Sequence, residues 1–360
     1  MTVLDRFDVD VYRVPTPTPE SDGTFTWDAT VAVTATVGAG GVHGLGWTYS
    51  APAAAGVMHD QLAPALDGRD PHDIAGCHEA MRRACRNLGT RGLVMQAISA
   101  ADIALWDLRA RLIGVPVRAL LGGNDTPVPV YGSGGFTSMT DNQLAEQIAD
   151  WRAAGCTAMK IKIGESWGTA IDRDLARVRL LGELAGPNTE LMVDANGGYR
   201  PGAARRVGAV LDELGVVWFE EPVTSDDLAG LRLLRGTLRC DVAAGEYLSD
   251  PDDVRRMLPA VDCMQLDVTR CGGYTGFLAA AAQAAAHHVP VSAHCAPSLH
   301  AQLGEMPGLR HIEWFADHAR LEPLLFDGVP AVHDGKVAPA TSTGHGMSVG
   351  HQATRYAWQD

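Results

Sequence analysis

Two lysines one residue apart open the chemical reading of this chain. Thr157 to Gly164 reads Thr-Ala-Met-Lys-Ile-Lys-Ile-Gly, so Met159, Ile161 and Ile163 alternate with Lys160 and Lys162. Alternation at period two is a strand signature and puts both ammonium groups on one face. Burial and mutual repulsion each disfavour the charged amine, so a lysine here is expected to have a lowered pKa and to serve as a base near neutral pH. The plainer alternative is an edge strand with its lysines in water. Three carboxylates follow, Asp194, Glu220 and Glu246, at intervals of 26 residues, each after an apolar run. Three carboxylates in one place cannot all stay ionised without a cation, and oxygen donors with no His or Cys beside them in sequence favour a hard ion, Mg²⁺ first. Helix capping explains one such residue well, but three on consecutive strands less well. Asp267 and His294 end two further apolar runs. Side by side, Asp267 would hydrogen-bond the imidazole, orient it and raise its pKa. Glu313 ends the last run, where a protonated carboxyl would donate to a substrate oxygen or an ionised one would cap a helix. Glu221, next to Glu220, is expected to point away and to be structural.

These residues need elements that bring them together. From residue 127 short apolar strands alternate with amphipathic helices. The strands are Val128–Gly132, Ala158–Ile163, Glu190–Val193, Val216–Phe219, Asp241–Ala244, Cys263–Leu266, Pro290–Ala293 and His311–Trp314. Helices at Gln143–Ala154, Arg173–Ala185, Ala203–Leu214, Leu228–Leu234 and Phe277–His287 separate most of them. Eight such units predict a closed parallel barrel, with a doubly wound sheet as the other possibility. A barrel gathers the C-terminal ends of its strands on one face, where barrel active sites lie. Upstream, residues 1 to about 50 predict antiparallel strands, interrupted by long loops at Pro15–Trp27 and Gly38–Gly46. Residues 52 to 121 predict helices, clearest over Gly92–Ile113. The expected domains are an α+β unit at 1–125, a barrel at 126–320 and a segment at 321–360 that packs back on the first unit.

Convergence on one mouth dictates a chemistry. Lys162 and His294 would face each other across a cation that binds a substrate carboxylate, with Lys160 and Glu313 on its oxygens. Removing the proton next to a carboxylate leaves charge on those oxygens, an enediolate, which a divalent cation stabilises.

Composition narrows the partners. The formal net charge of -14 argues against nucleic acid or an anionic membrane. Asp5, Arg6, Asp8 and Asp10 make a signal peptide unexpected, and the apolar run Phe277–Ala286 is too short to span a bilayer. Seven scattered cysteines without Cys-x-x-Cys suggest free thiols in a reducing cytoplasm.

Together, Lys160-Ile-Lys162, Asp194-Ala-Asn196, Glu220-Glu221-Pro222, Gly245-Glu246, Asp267, His294 and Glu313 resemble the enolase superfamily, specifically its mandelate racemase-like branch, over nearly the whole chain. Pairing of a Lys or His base with Mg²⁺ is a known property of that superfamily. The resemblance implies an α+β capping domain on a modified TIM barrel, (β/α)₇β. It implies Mg²⁺ on Asp194, Glu220 and Glu246, with Lys162 as one base and the His294–Asp267 pair as the other. It places Lys160 and Glu313 on the substrate carboxylate, and a small-molecule carboxylate as the partner of a cytoplasmic, homo-oligomeric enzyme. Capping loops at Pro15–Trp27 and His43–Tyr49 would cover the pocket, which makes Trp27, His43, Tyr49 and, from the barrel, Asn196 candidate substrate contacts. Tyr247 departs from the smaller polar residue of many relatives.

Two reactions use these parts. Dehydration of an acid sugar, aldonate or aldarate, to a 2-keto-3-deoxy acid takes the α-proton and expels the β-hydroxyl. Racemisation or epimerisation of a 2-hydroxy acid needs only two opposed bases. Dehydration is favoured because the His-Asp pair with Glu313 is common to that activity in the family. More distant alternatives are a Schiff-base aldolase using Lys160 or Lys162 and a non-catalytic binding protein.

Overall fold

The computed structural model describes residues 2–358. Eight parallel strands form its centre: β4 (Val128–Gly134), β5 (Ala158–Lys162), β6 (Glu190–Asp194), β7 (Val216–Glu220), β8 (Asp241–Ala244), β9 (Cys263–Leu266), β10 (Val291–Ala293) and β11 (Leu309–Phe315). Each pairs with the next, and β11 pairs with β4, which closes the barrel. The expected barrel is therefore the observed one, and the doubly wound sheet is excluded.

Strand alternation sorts the side chains. Residues facing the lumen form two kinds of layer. Tyr131, Ala158, Met192, Trp218, Ala243 and Cys263 pack into a small apolar cluster deep inside. Two or four residues further along the same strands, at the C-terminal mouth, come Ser133, Lys160 and Lys162, Asp194, and Glu220. Neighbouring odd positions such as Ile161, Val193 and Phe219 join the large core against the outer helices. A barrel strand buried on both faces thus carries an apolar outer row and an inner row that turns polar at its last residues.

The capping unit is built on an antiparallel sheet, β1 (Leu4–Ser21), β2 (Thr26–Ala39) and β3 (Val42–Tyr49), in that order. A 21-residue helix, Leu93–Ile113, lies against it. Gly44 and Gly46 allow the close approach, since a Cβ at either would lie 2.2 Å from a helix carbonyl, of Ala104 and Ala100 respectively. Two loops expected from the sequence are strand instead. Pro15, Pro17 and Pro19 lie within β1, an edge strand where missing N–H groups cost no ladder bond, and a register shift separates Pro15 from Glu20. The span from Gly38 to Gly46 is a hairpin whose turn is only Gly40-Gly41.

The β1–β2 turn reaches the barrel mouth. Thr137 N–H donates to the Ser21 carbonyl at 2.8 Å, the Thr137 hydroxyl to that of Asp22 at 2.7 Å, and Trp167 N–H to that of Gly23 at 2.9 Å. On the other side Thr48 donates its hydroxyl to the Thr269 carbonyl at 2.8 Å. After a helix at Ala316–Leu325, a short strand at Lys336–Val337 pairs with β4. His345 Nε2 lies 2.8 Å from the Leu45 carbonyl, and Trp358 N–H donates to Val11.

Candidate active site

Three buried carboxylates form the floor of the mouth. Oxygen atoms of Asp194, Glu220 and Glu246 all lie within 4.8 Å of one another. Asp194 and Glu220 are the last residues of β6 and β7. Glu246 is two residues past β8 and is swung inward by Gly245, whose φ of +137° leaves no room for a side chain: a Cβ would lie 2.5 Å from the Gln265 carbonyl oxygen.

Cations of the protein crowd these groups. Lys160 Nζ donates to both oxygens of Glu220 at 2.7 Å and lies 2.8 Å from Glu313 Oε1. Trp218 Nε1 adds a bond to Glu220 at 2.9 Å. Lys162 Nζ contacts Asp194 Oδ2 directly. Arg270 Nη1 is 2.9 Å from Glu246 Oε1, with its guanidinium over the Tyr247 ring. The lowered lysine pKa expected from sequence is not observed. Burial does disfavour the Lys160 ammonium, but Glu220 and Glu313 outweigh it and the pKa is raised. Lys162 behaves likewise, with Asp194 opposing burial. The two-lysine argument omitted the anions that distant strands bring in.

Glu313 also differs from expectation as a donor. Its oxygens accept bonds from Ser133 Oγ at 2.6 Å and Cys295 N–H at 2.9 Å. Burial pushes its carboxyl up, but Lys160 and His294 pull it well below the usual range, so it is an ionised acceptor. Glu221 was expected to face away. It is buried, takes a φ of +37°, and burial followed by Glu246 and Asp194 raises its pKa, so it belongs to the same acidic cluster.

Immediately after β10, His294 has its Nδ1 2.9 Å from Asp267 Oδ2 and its Nε2 3.2 Å from Glu246 Oε2. An imidazole therefore does adjoin the carboxylate floor. Burial lowers the His294 pKa, but Cys295, Glu246 and Glu313 raise it overall, favouring the imidazolium. From β5 to β10 the shorter way around the ring runs through β4 and β11, so Lys162 and His294 stand nearly opposite. Both line one cavity of about 290 Å³, together with Trp27, Tyr49 and Asn196. Lys160 lies beneath it, fully buried. His43 is not part of it. It is exposed and sits opposite Gly38 next to the hairpin turn, at the other end of β3 from Tyr49.

Four strained residues mark the mouth. Asn196, Glu221, Cys295 and Ala296 are non-glycine residues at positive φ, each within three positions of the end of β6, β7 or β10. Such outliers persist where surrounding structure enforces them, and they cluster at functional sites. Sequence reasoning missed Arg270, one turn past Asp267, and Asp317, four residues past Glu313. A charged residue just beyond a functional strand end was the available signal.

The donor set fits a hard divalent cation. Asn196 Oδ1 and Glu221 Oε1 are buried acceptors without hydrogen-bond partners among the described residues, and Glu246 Oε2 has only the His294 imidazole beside it, at 3.2 Å. Burial and Asp194 push Glu220 up to about 8 despite Lys160. Surplus negative charge and unpaired oxygens at one point are what a cation relieves.

Comparison with known proteins agrees. Residues 7–122 match the mandelate racemase/muconate lactonizing enzyme N-terminal domain, and residues 143–353 the enolase C-terminal domain-like family. The L-talarate/galactarate dehydratase of Salmonella typhimurium is 31% identical over 88% of this chain and 79% of its own. The 3,6-anhydro-alpha-L-galactonate cycloisomerase of Streptomyces coelicolor is 33% identical over 96% of both. A mandelate racemase/muconate lactonizing enzyme-like protein from Rubrobacter xylanophilus superimposes with a TM-score of 0.95 at 41% identity, covering 99% of this chain and 100% of that one. A Streptomyces coelicolor racemase solved with bound magnesium gives 0.93 at 30% identity, covering 99% and 100%. The chain thus belongs to the mandelate racemase/muconate lactonizing enzyme family of the enolase superfamily.

Proposed function

We propose that this Mg²⁺-dependent enzyme dehydrates an acid sugar to a 2-keto-3-deoxy acid by abstraction of the proton α to the carboxylate. The observation that carries this reading is the pair of opposed groups, Lys162 and His294, with three carboxylates between them. Asp194, Glu220 and Glu246 would hold the ion. Bound there, Mg²⁺ supplies Lewis-acid stabilisation of the negative charge that develops on the substrate carboxylate.

Lys162 takes the α-proton. The Asp194 contact holds a proton on its ammonium; with that carboxylate shared with a bound cation, the proton would pass to solvent and leave the neutral amine that serves as the base. Lys160 stays protonated, locked between Glu220 and Glu313, and supplies fixed positive charge beneath the substrate carboxylate. Asp267 holds His294 through Nδ1, which leaves Nε2–H to protonate the departing β-hydroxyl from the opposite side. A Schiff base on Lys160 would require breaking three buried ion contacts.

The dehydratase relative supports this reaction, and the racemase structure supports inversion of a 2-hydroxy acid by the same two groups as the second reading. A panel of aldonates and aldarates with Mg²⁺ separates them. Formation of a 2-keto-3-deoxy acid is expected. Solvent deuterium incorporation with inversion and no keto product would rule dehydration out.

A further inference from the structure

Among the described residues that line the cavity, positive charge is confined to its floor. Lys162 and Arg270 line the cavity there, and both are matched by carboxylates, as is His294. The far wall, where the capping sheet meets the barrel, is built differently. No lysine or arginine lines it among the described residues, whereas Asp22 and Asp317 do. Asp22 is committed to the β1–β2 turn, accepting from Phe25 N–H at 2.7 Å. Asp317 is buried, touches the Thr30 hydroxyl, and consumes the charge of Arg320 at 2.5 Å. A further acid, Glu20, lies behind them, bonded to the Trp27 indole at 3.0 Å.

The rest of this wall is neutral. Trp27 and Phe25 stack with centroids 6.2 Å apart. The Tyr49 ring lies 3.6 Å from that of His318, and its hydroxyl is turned away to Glu322 at 3.0 Å. His318 Nδ1 accepts from Ala296 N–H at 3.2 Å, which leaves Nε2 as a donor for a hydroxyl, and burial drives its pKa down to about 3.

Building on the α-proton abstraction proposed above, we infer that the substrate carries a single carboxylate, with a far end that is uncharged and hydroxylated or cyclic. The one carboxylate goes to the floor. A second, at the other end of a six-carbon chain, would meet Asp22 and Asp317 where the nearest cation, Arg320, is already paired with Asp317, so a further anion brought there out of water would bind poorly. Aromatic faces and a neutral imidazole suit a sugar chain or ring instead. Aldonates, or anhydro acids with one carboxylate, are therefore favoured over aldarates.

The test is calorimetric titration of the Mg²⁺-loaded enzyme with pairs of equal configuration: gluconate and glucarate, galactonate and galactarate, arabinonate and arabinarate. Deuterium exchange and keto-acid formation are followed in parallel. The monoacid is expected to bind at least about 30-fold more tightly within the best-bound pair. In Asp317→Asn, which frees Arg320, and in Ala29→Lys, which adds a cation at a partly exposed position of the same wall, that ratio should fall by about tenfold. A diacid bound as tightly as its monoacid, a ratio unmoved in Ala29→Lys, or binding of no monoacid overturns the inference. Selective monoacid binding without exchange or keto acid supports it and refutes the proposed reaction alone.

Discussion

His294 Nδ1 and Asp267 Oδ2 are 2.9 Å apart, both buried, at the ends of adjacent strands. Burial alone would raise the Asp267 carboxyl, but the hydrogen bond and charge of His294 bring it down to about 2. The interaction is mutual, so Asp267 favours the imidazolium. Asp267→Asn keeps the shape and removes the charge. The basic limb of the pH–rate profile should move to lower pH, and kcat should fall by about 10²- to 10⁴-fold. An unmoved limb would mean that His294 is not the acid.

Removing one carboxylate of the floor separates cation binding from folding. Mg²⁺ that binds only the folded chain should raise the melting temperature, by about 2.7 kcal/mol of stability at a hundredfold excess over Kd. Chelator should reverse this. Glu246→Gln should abolish most of the Mg²⁺-induced rise and lower kcat/KM by about 10³-fold or more. A wild-type-like thermal response to Mg²⁺ in this variant would remove Glu246 from the ligand set.

Gly245 tests the same point through the backbone. A methyl group there collides with the Gln265 carbonyl, and the φ of +137° suits no other residue. Gly245→Ala should cost about 1–3 kcal/mol of stability in denaturant melts. It should also weaken Mg²⁺ binding, because Glu246 is displaced. Loss of stability with intact Mg²⁺ affinity would show that Glu246 tolerates the shift.

Glu20 makes stability depend on pH in an unusual direction. Burial and the neighbouring Asp317 raise its carboxyl to about 8, although Trp27 opposes them. An acid raised from about 4.3 in the unfolded chain holds its proton more tightly when folded. Its contribution is therefore full below about pH 4 and fades as pH climbs through about 8. The melting temperature should drop over that range, with a change in Trp27 fluorescence, and Glu20→Gln should flatten both. A flat wild-type profile would contradict the assignment.

The barrel was legible because each inner strand residue carries its layer in its type: apolar deep down, charged at the mouth. The seven polar strand ends were found for the same reason. What escaped depended on long-range partners. The charge state of Lys162 is set by Asp194, 32 positions away. Proline read as a strand breaker in β1 because nothing in sequence says which strand is an edge. His43 and Tyr49 share one strand, and only docking of Thr48 onto Thr269 decides which end meets the barrel. Glu221 looked outward because ideal alternation was extended one residue past β7, where the backbone turns left-handed.

The plug of Tyr131, Met192, Trp218 and their neighbours has a further effect. It fills the barrel beneath the reaction chamber, so the doorway for the acid lies on the side of the capping sheet. With the doorway filled, a proton held by Lys162 has no bulk water to trade with. Isotope removed from the substrate should then linger on the enzyme for as long as the visitor stays.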